Sequence, residues 1–235
     1  MKTGVIVFPG SNCDRDARSA LSAFYAGAWG QSNDGSVIPL WHGEATLPKL
    51  DLIIVPGGFS YGDYLRSGAM AAHSPIMQAV KAHAAEGRYV LGICNGFQIL
   101  TESGLLPGIL MRNEKLAFIC KTLHLRVENA SSRFTRAYQQ HQVLSVPVAH
   151  HDGNYFADNE TLKSLEENDQ ILFRYSDAQG QLTPAANPNG SASHIAGIMN
   201  RQGNVAGMMP HPERVCDRLT GGIDGRALFQ GLLAA

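Results

Sequence analysis

In the first half of the chain the apolar residues gather into short, nearly unbroken runs, with longer mixed stretches between them. Residues 3–8, 50–55 (LDLIIV) and 89–93 (YVLGI) are too short for helices and almost wholly apolar. Such runs read as strands buried on both faces, the pattern of a parallel sheet covered by helices. Residues 36–41 read as a further strand. Residues 14–26 follow the capping side chains of Ser11, Asn12 and Asp14 and read as a helix. Ser74 and Pro75 open a second helix, to about residue 86, with serine at the N-cap, proline at N1 and Gly87 as its stop. A third follows Cys94 and closes at Gly104. Residues 27–36 (GAWGQSNDGS) are polar and glycine-rich and read as a surface loop.

The second half has another rhythm. Residues 117–127, 143–150, 170–175, 195–199 and 205–209 read as strands with no long helix between them, and 177–180 and 200–203 carry hairpin-like turn signals. A short helix is expected at 161–167 and a C-terminal one at 225–233. Together these elements predict an α/β fold. It is an open, doubly wound, mostly parallel sheet with flanking helices and a smaller antiparallel extension. No repeat or linker interrupts it, so residues 1–235 are expected to form one domain. Right-handed crossovers then bring the loops after Phe8, Val55 and Ile93 to one sheet edge, where open α/β sheets hold their sites.

Charge narrows the partners. Nineteen basic residues against twenty acidic ones leave a net charge of -1, which gives no basic field for nucleic acid or an anionic membrane. The N-terminal apolar run is too short for a signal peptide and no stretch is long enough to span a bilayer. The four cysteines, Cys13, Cys94, Cys120 and Cys216, are widely spaced and form no metal-ligand pattern. Free thiols in a reducing, cytoplasmic setting are expected, with no metal and no disulfide framework.

The chemistry centres on Gly92-Ile93-Cys94-Asn95-Gly96, where a buried strand ends and a helix begins. G-x-C-x-G is the cysteine counterpart of the serine nucleophile elbow. A thiol at a helix N-terminus is favoured as thiolate by the unpaired N–H groups there. The same five residues also suit a buried structural cysteine between two turn glycines. A nucleophile needs a base, a group to orient the base, and donors for an oxyanion. His211-Pro212-Glu213 offers the first two. In extended backbone residues i and i+2 share a side, although H-P-E also describes a plain surface turn. Gly57-Gly58, after another buried strand, can present backbone N–H groups which, with that of Asn95, would make an oxyanion hole; a Pro-Gly-Gly turn alone is equally ordinary.

Taken together, the glycine pair, the elbow and H-P-E resemble the class I glutamine amidotransferases, whose fold is flavodoxin-like. PGSNCDRD (9–16), PGGFSYGDYLR (56–66), GICNGFQIL (92–100), NPNGS (187–191) and MMPHPER (208–214) carry that resemblance over nearly the whole chain. Within the family these loops favour the glutaminases of purine biosynthesis. The resemblance implies Cys94 as nucleophile, His211 as base and Glu213 as its orienter, acting through a glutamyl thioester that releases ammonia. It places Gln98, one turn beyond Cys94, near the glutamine substrate, with His150 and Gly153 of A-H-H-D-G (149–153) lining the pocket. The family usually reads A-H-G-E-G there, so His151 replaces a glycine and would be strained if that position has positive φ. The resemblance also implies two partners, a large ATP-dependent synthetase subunit and a small accessory subunit. No Walker loop is present, so ATP and Mg belong to the synthetase and no cofactor is expected here. Two other readings share parts of this pattern. A cysteine-elbow peptidase-like or stress protein would not require both H-P-E and Gln98, and a non-catalytic scaffold would not need all three of Cys94, His211 and Glu213.

Overall fold

The computed structural model of the protein describes residues 1–30 and 34–233. β1 (Lys2–Val7), α1 (Asp14–Tyr25), β2 (Ser36–Trp41) and β3 (Leu52–Val55) lead into a 3₁₀ turn at Ser60–Asp63. The short α2 (Ala69–Ala72), α3 (Pro75–Ala85), β4 (Tyr89–Ile93) and α4 (Asn95–Glu102) follow. After β5 (Ile109–Met111), β6 (Ile119–Val127), β7 (Val143–His150) and β8 (Asn154–Phe156) come α5 (Asn159–Glu167) and β9 (Ile171–Ser176). β10 (Ile195–Met199), β11 (Val205–Met208), a 3₁₀ turn at Pro212–Arg214 and α6 (Arg226–Leu233) complete the order. Among the described residues no helix is long and apolar enough to cross a membrane.

Among the described residues a nine-stranded sheet runs β2-β1-β3-β4-β11-β10-β9-β6-β7. From β2 to β11 neighbouring strands are parallel, and from β11 to β7 they are antiparallel. The α/β architecture expected from the sequence is therefore present, with one strand reassigned. Residues 205–208 belong to the parallel half, because the turn at 200–203 folds β11 back along β10 and so into the direction of β4. That places the end of β11 beside the end of β4, with Met208 opposite Ile93.

Burial explains the two halves. All four residues of β3 are fully buried, each contributing roughly 1.5–3 kcal/mol if apolar burial is complete. β7 instead alternates half-buried and buried positions, as a strand with one solvated face does. α4 packs over β4, β3 and β11, and α1 over β1 and β2.

Several local expectations are corrected. Among the described residues no side chain caps α1; Ser11 Oγ donates to the carbonyl of Gly57 instead. Ser74 sits at the N-cap of α3, but its hydroxyl turns back to the carbonyl of Ala71. α5 begins at Asn159, earlier than expected, because Asp158 accepts from the N–H of Thr161 and caps it. The turn at 177–180 opens a longer connection from β9 to β10 that includes two 3₁₀ turns, so it closes no tight hairpin. β5 and β8, three residues each and missed in the sequence, form a separate antiparallel pair. In the loop expected at 27–36, Trp29 packs edge-on to Phe24 at 5.7 Å and lies under the Arg226 guanidinium. Residues 31–33 of that loop lie outside the described residues.

Candidate active site

The ends of β3, β4 and β11 and the loop after β1 converge on Cys94. At φ 51°, ψ −109° this cysteine is in a region that residues with a Cβ avoid. Such a conformation costs on the order of 1–3 kcal/mol and persists only when its surroundings enforce it. Here the Cys94 N–H is held by the Met208 carbonyl at 2.7 Å, while the Cys94 carbonyl accepts from Phe97 and Gln98 as α4 begins. The flanking glycines are required by close approach. A Cβ on Gly96 would lie 1.8 Å from the Val55 carbonyl oxygen, and one on Gly92 would lie 2.6 Å from that of Gly96.

His211 and Glu213 lie three and five residues beyond β11. The pairing expected from the sequence is present, with Nδ1 of His211 2.6 Å from Oε1 of Glu213 and both side chains almost fully buried. Its geometry differs from expectation. Pro212–Arg214 forms a 3₁₀ turn, so the pair meets across a tight turn and not along extended backbone. His211 Nε2 has no nitrogen or oxygen partner among the described residues. Burial opposes charge on this ring, but the Glu213 carboxylate and the neighbouring Cys94 thiol outweigh it and push its pKa up to about 10. The ring is therefore built to carry a proton beside a thiol.

Gly57 fills the gap between these groups: a Cβ there would lie 2.8 Å from His211 Cε1 and 3.3 Å from Cys94 Cβ. Gly58 has φ +124°, and a Cβ on it would lie 2.5 Å from the Asn12 backbone nitrogen. Ser11 Oγ, 3.0 Å from the Gly57 carbonyl, fixes the plane of the Gly57–Gly58 peptide. Asn95 has a structural task besides its backbone N–H. Its side-chain oxygen accepts from Ser60 N–H, and its amide group donates to Asp63 and to Gln98 Oε1.

Gln98 lies on the expected side of α4 and donates to the Asp152 carbonyl at 2.6 Å. Asp152 in turn accepts from Ser67 and lies 3.6 Å from Arg112. His151 is not in the left-handed region, so the strain considered for it is absent; its ring stands edge-on to Phe118. His150 is buried against Asn113, a residue the sequence reading missed. Asn113 donates to the carbonyls of Ala117 and His150, which orients its amide, and its oxygen accepts from Gly153 N–H. That oxygen also faces His150 Nδ1 at 3.1 Å. The proton of His150 is thus assigned to Nδ1, leaving Nε2 as a buried acceptor with no partner among the described residues. Burial first, and then the nearby His211, lowers the pKa of His150 to about 4, so it stays neutral.

Asn189 and Ser191 were also missed as individual residues, although NPNGS contains both. They hold the Gly153 carbonyl from the far side, at 2.7 Å and 3.2 Å. A cavity of about 630 Å³, lined among others by Phe59, Asp63, Leu65, Ser67 and Met111, reaches the neighbouring His151 and Asp152.

A family model described as the CobB/CobQ-like glutamine amidotransferase domain matches residues 1–224, so the chain belongs to the glutamine amidotransferases. Within that family, phosphoribosylformylglycinamidine synthase subunit PurQ of Acaryochloris marina is 55% identical, covering 99% of this chain and 96% of its own. The protein of the same name from Synechocystis is 57% identical, covering 96% and 97%. Among solved structures, PurLQS from Thermotoga maritima contains a chain 41% identical, with TM-score 0.84 and coverage of 99% and 97%.

Proposed function

We propose that this chain is the glutaminase subunit of a phosphoribosylformylglycinamidine synthase and supplies that synthase with ammonia in the cytoplasm. The observation that carries the catalytic part is the buried His211–Glu213 pair set beside a cysteine on a strained elbow. In this reading Cys94 gives its thiol proton to His211, its sulfur attacks the side-chain amide carbon of glutamine, and the carbonyl oxygen becomes an oxyanion. The N–H groups of the Gly57–Gly58 turn and of Asn95 receive it, each donor worth about 3 kcal/mol in the transition state. His211 gives its proton to the departing nitrogen, which leaves as ammonia. Water then loses a proton to His211 and attacks the thioester, releasing glutamate and restoring the thiol. Glu213 holds the imidazole in one tautomer and supports its charge. Gln98 fixes the loop carrying His150 and Gly153, and the Nε2 lone pair of His150 accepts an N–H of the substrate.

The synthetase and accessory subunits complete the enzyme. ATP and Mg work on the synthetase, which converts formylglycinamide ribonucleotide to formylglycinamidine ribonucleotide. Because free ammonia is lost to solvent, turnover is expected to be weak in the isolated chain and to rise in the complex. A glutamine-analogue electrophile tests the site. Labelling of Cys94, prevented by glutamine and absent in Cys94→Ala, is the expected result. Labelling of Cys13 or Cys216 in place of Cys94 rejects it.

A further inference from the structure

Cys13 is a second thiol beside the His211–Glu213 pair: a Cβ on Gly57 would lie 3.4 Å from its Sγ, 3.3 Å from Cys94 Cβ and 2.8 Å from His211 Cε1. The sequence hides this, because Cys13 and the H-P-E turn stand at opposite ends of the chain. In the fold the loop after β1 lies against the turn after β11, and one ligand atom each from Cys13, His211 and Glu213 falls within a 4.8 Å envelope. All three residues are buried. Glu213 commits Oε1 to the imidazole and leaves Oε2 buried without a hydrogen-bond partner among the described residues. A thiol, an imidazole and a carboxylate oxygen form the donor set that zinc prefers.

We propose that Cys13, His211 and Glu213 form an inhibitory site for a soft divalent cation, zinc above all. Metal–ligand bonds of about 2.0–2.3 Å require the three groups to close slightly, a side-chain adjustment at the joint between two loops. Arg214 guards the site: it donates to Cys13 Sγ at 3.0 Å and pairs with Asp16 at 3.2 Å. Its side chain is about one-third exposed, and it lines a surface cavity that also reaches Glu213 and Asp16. Swinging the guanidinium outward both frees the thiol and opens an approach for the ion. Binding releases the Cys13 thiol proton and the imidazole proton to solvent, and it forms metal–sulfur and metal–nitrogen bonds with no change in oxidation state. With the imidazole held by metal, Cys94 loses its base, so zinc stops glutamine hydrolysis without touching the nucleophile.

The inhibitory consequence rests on the glutaminase reading; the site itself does not, and cobalt(II) separates the two. Titration of the full chain with cobalt(II) is expected to give a thiolate charge-transfer band that persists in Cys94→Ser and disappears in Cys13→Ser. Zinc inhibition is expected to weaken by at least about 10-fold in Cys13→Ser, since even loss of a group that only supports a ligand costs about 10–100-fold in metal affinity, with metal-free turnover retained. Arg214→Gln, which removes the guard but keeps every ligand, is expected to lower the zinc concentration needed. It serves as the deciding variant if Cys13→Ser does not fold. A band lost in Cys94→Ser but kept in Cys13→Ser, the absence of any thiolate band, or unchanged zinc sensitivity in Arg214→Gln overturns the proposal.

Discussion

The floor and the rim of the site are built on opposite terms. On the floor, Cys94, His211 and Glu213 are buried and fixed by the ends of parallel strands, with Gly57, Gly92 and Gly96 allowing the backbones to touch. On the rim, Tyr64, Leu65 and Leu116 are 72%, 83% and 71% exposed. Leu65 and Leu116 also have positive φ, at 71° and 52°. Phe59 and Phe118 stack there, each itself more than two-fifths exposed. Strain on the floor is enforced by packing, whereas strain on the rim displays apolar side chains to water. Exposed apolar clusters of this kind mark interaction surfaces, so the floor is packed within the chain while the rim is left open to solvent.

The largest effect should come from the nucleophile. Cys94→Ala and Cys94→Gly are both expected to lose at least about 10⁴-fold in glutaminase turnover. They should differ in stability, glycine exceeding alanine by roughly 1 kcal/mol in urea unfolding because only glycine accepts φ 51° freely. Equal stability would show that the elbow is not strained.

Glu213→Gln keeps the shape of the buried pair but removes its charge, and about 10³–10⁴-fold in turnover should go with it. Stability against pH gives a second measurement. His211 binds its proton more tightly folded than unfolded. Its contribution is therefore complete below the unfolded value near 6.5 and is lost as pH rises through about 10. Glu213→Gln should flatten that alkaline decline in denaturation midpoints. His150 has the opposite sign: its pKa is lowered, so its contribution is lost as pH falls from about 6.5 towards 4. An unchanged alkaline limb in Glu213→Gln would rule out the pair as its source.

The rim should give the smallest change in the isolated chain. Leu65→Glu and Leu116→Glu are expected to alter folding stability by no more than about 0.5 kcal/mol and to leave basal glutaminase intact. Co-purification with the synthetase subunit, and the rise in turnover it brings, should fall. Undiminished assembly with both substitutions present would move the docking surface elsewhere.

The floor was legible in the sequence because its parts are local. Gly92, Cys94 and Gly96 lie on one turn, and His211 and Glu213 within three residues. The strands around them are apolar throughout, so β3 and β4 could be read directly. What depends on distant pairing was not legible. β11 appeared to belong with the antiparallel strands, since neither its composition nor its length reveals that its partner is β4. Asn113, which sets the tautomer of His150, occupies a polar stretch with no motif of its own. Cys13 looked unremarkable because its ligand-like neighbours lie at the other end of the chain. The H-P-E pairing was foreseen but its 3₁₀ geometry was not, as alternation rules describe extended backbone and Pro212 begins a turn here.

The place of β11 also governs how the protein is born. The strand sits in the middle of the sheet yet is made after every strand it shares that sheet with. Until it arrives, β4 has a bare apolar edge and Cys94 has neither the carbonyl of Met208 nor a base. A partly made chain therefore holds a harmless thiol and a hazardous strand edge. Long-range closure of this kind is slow, so the vulnerable interval in the life of this glutaminase falls before its first turnover.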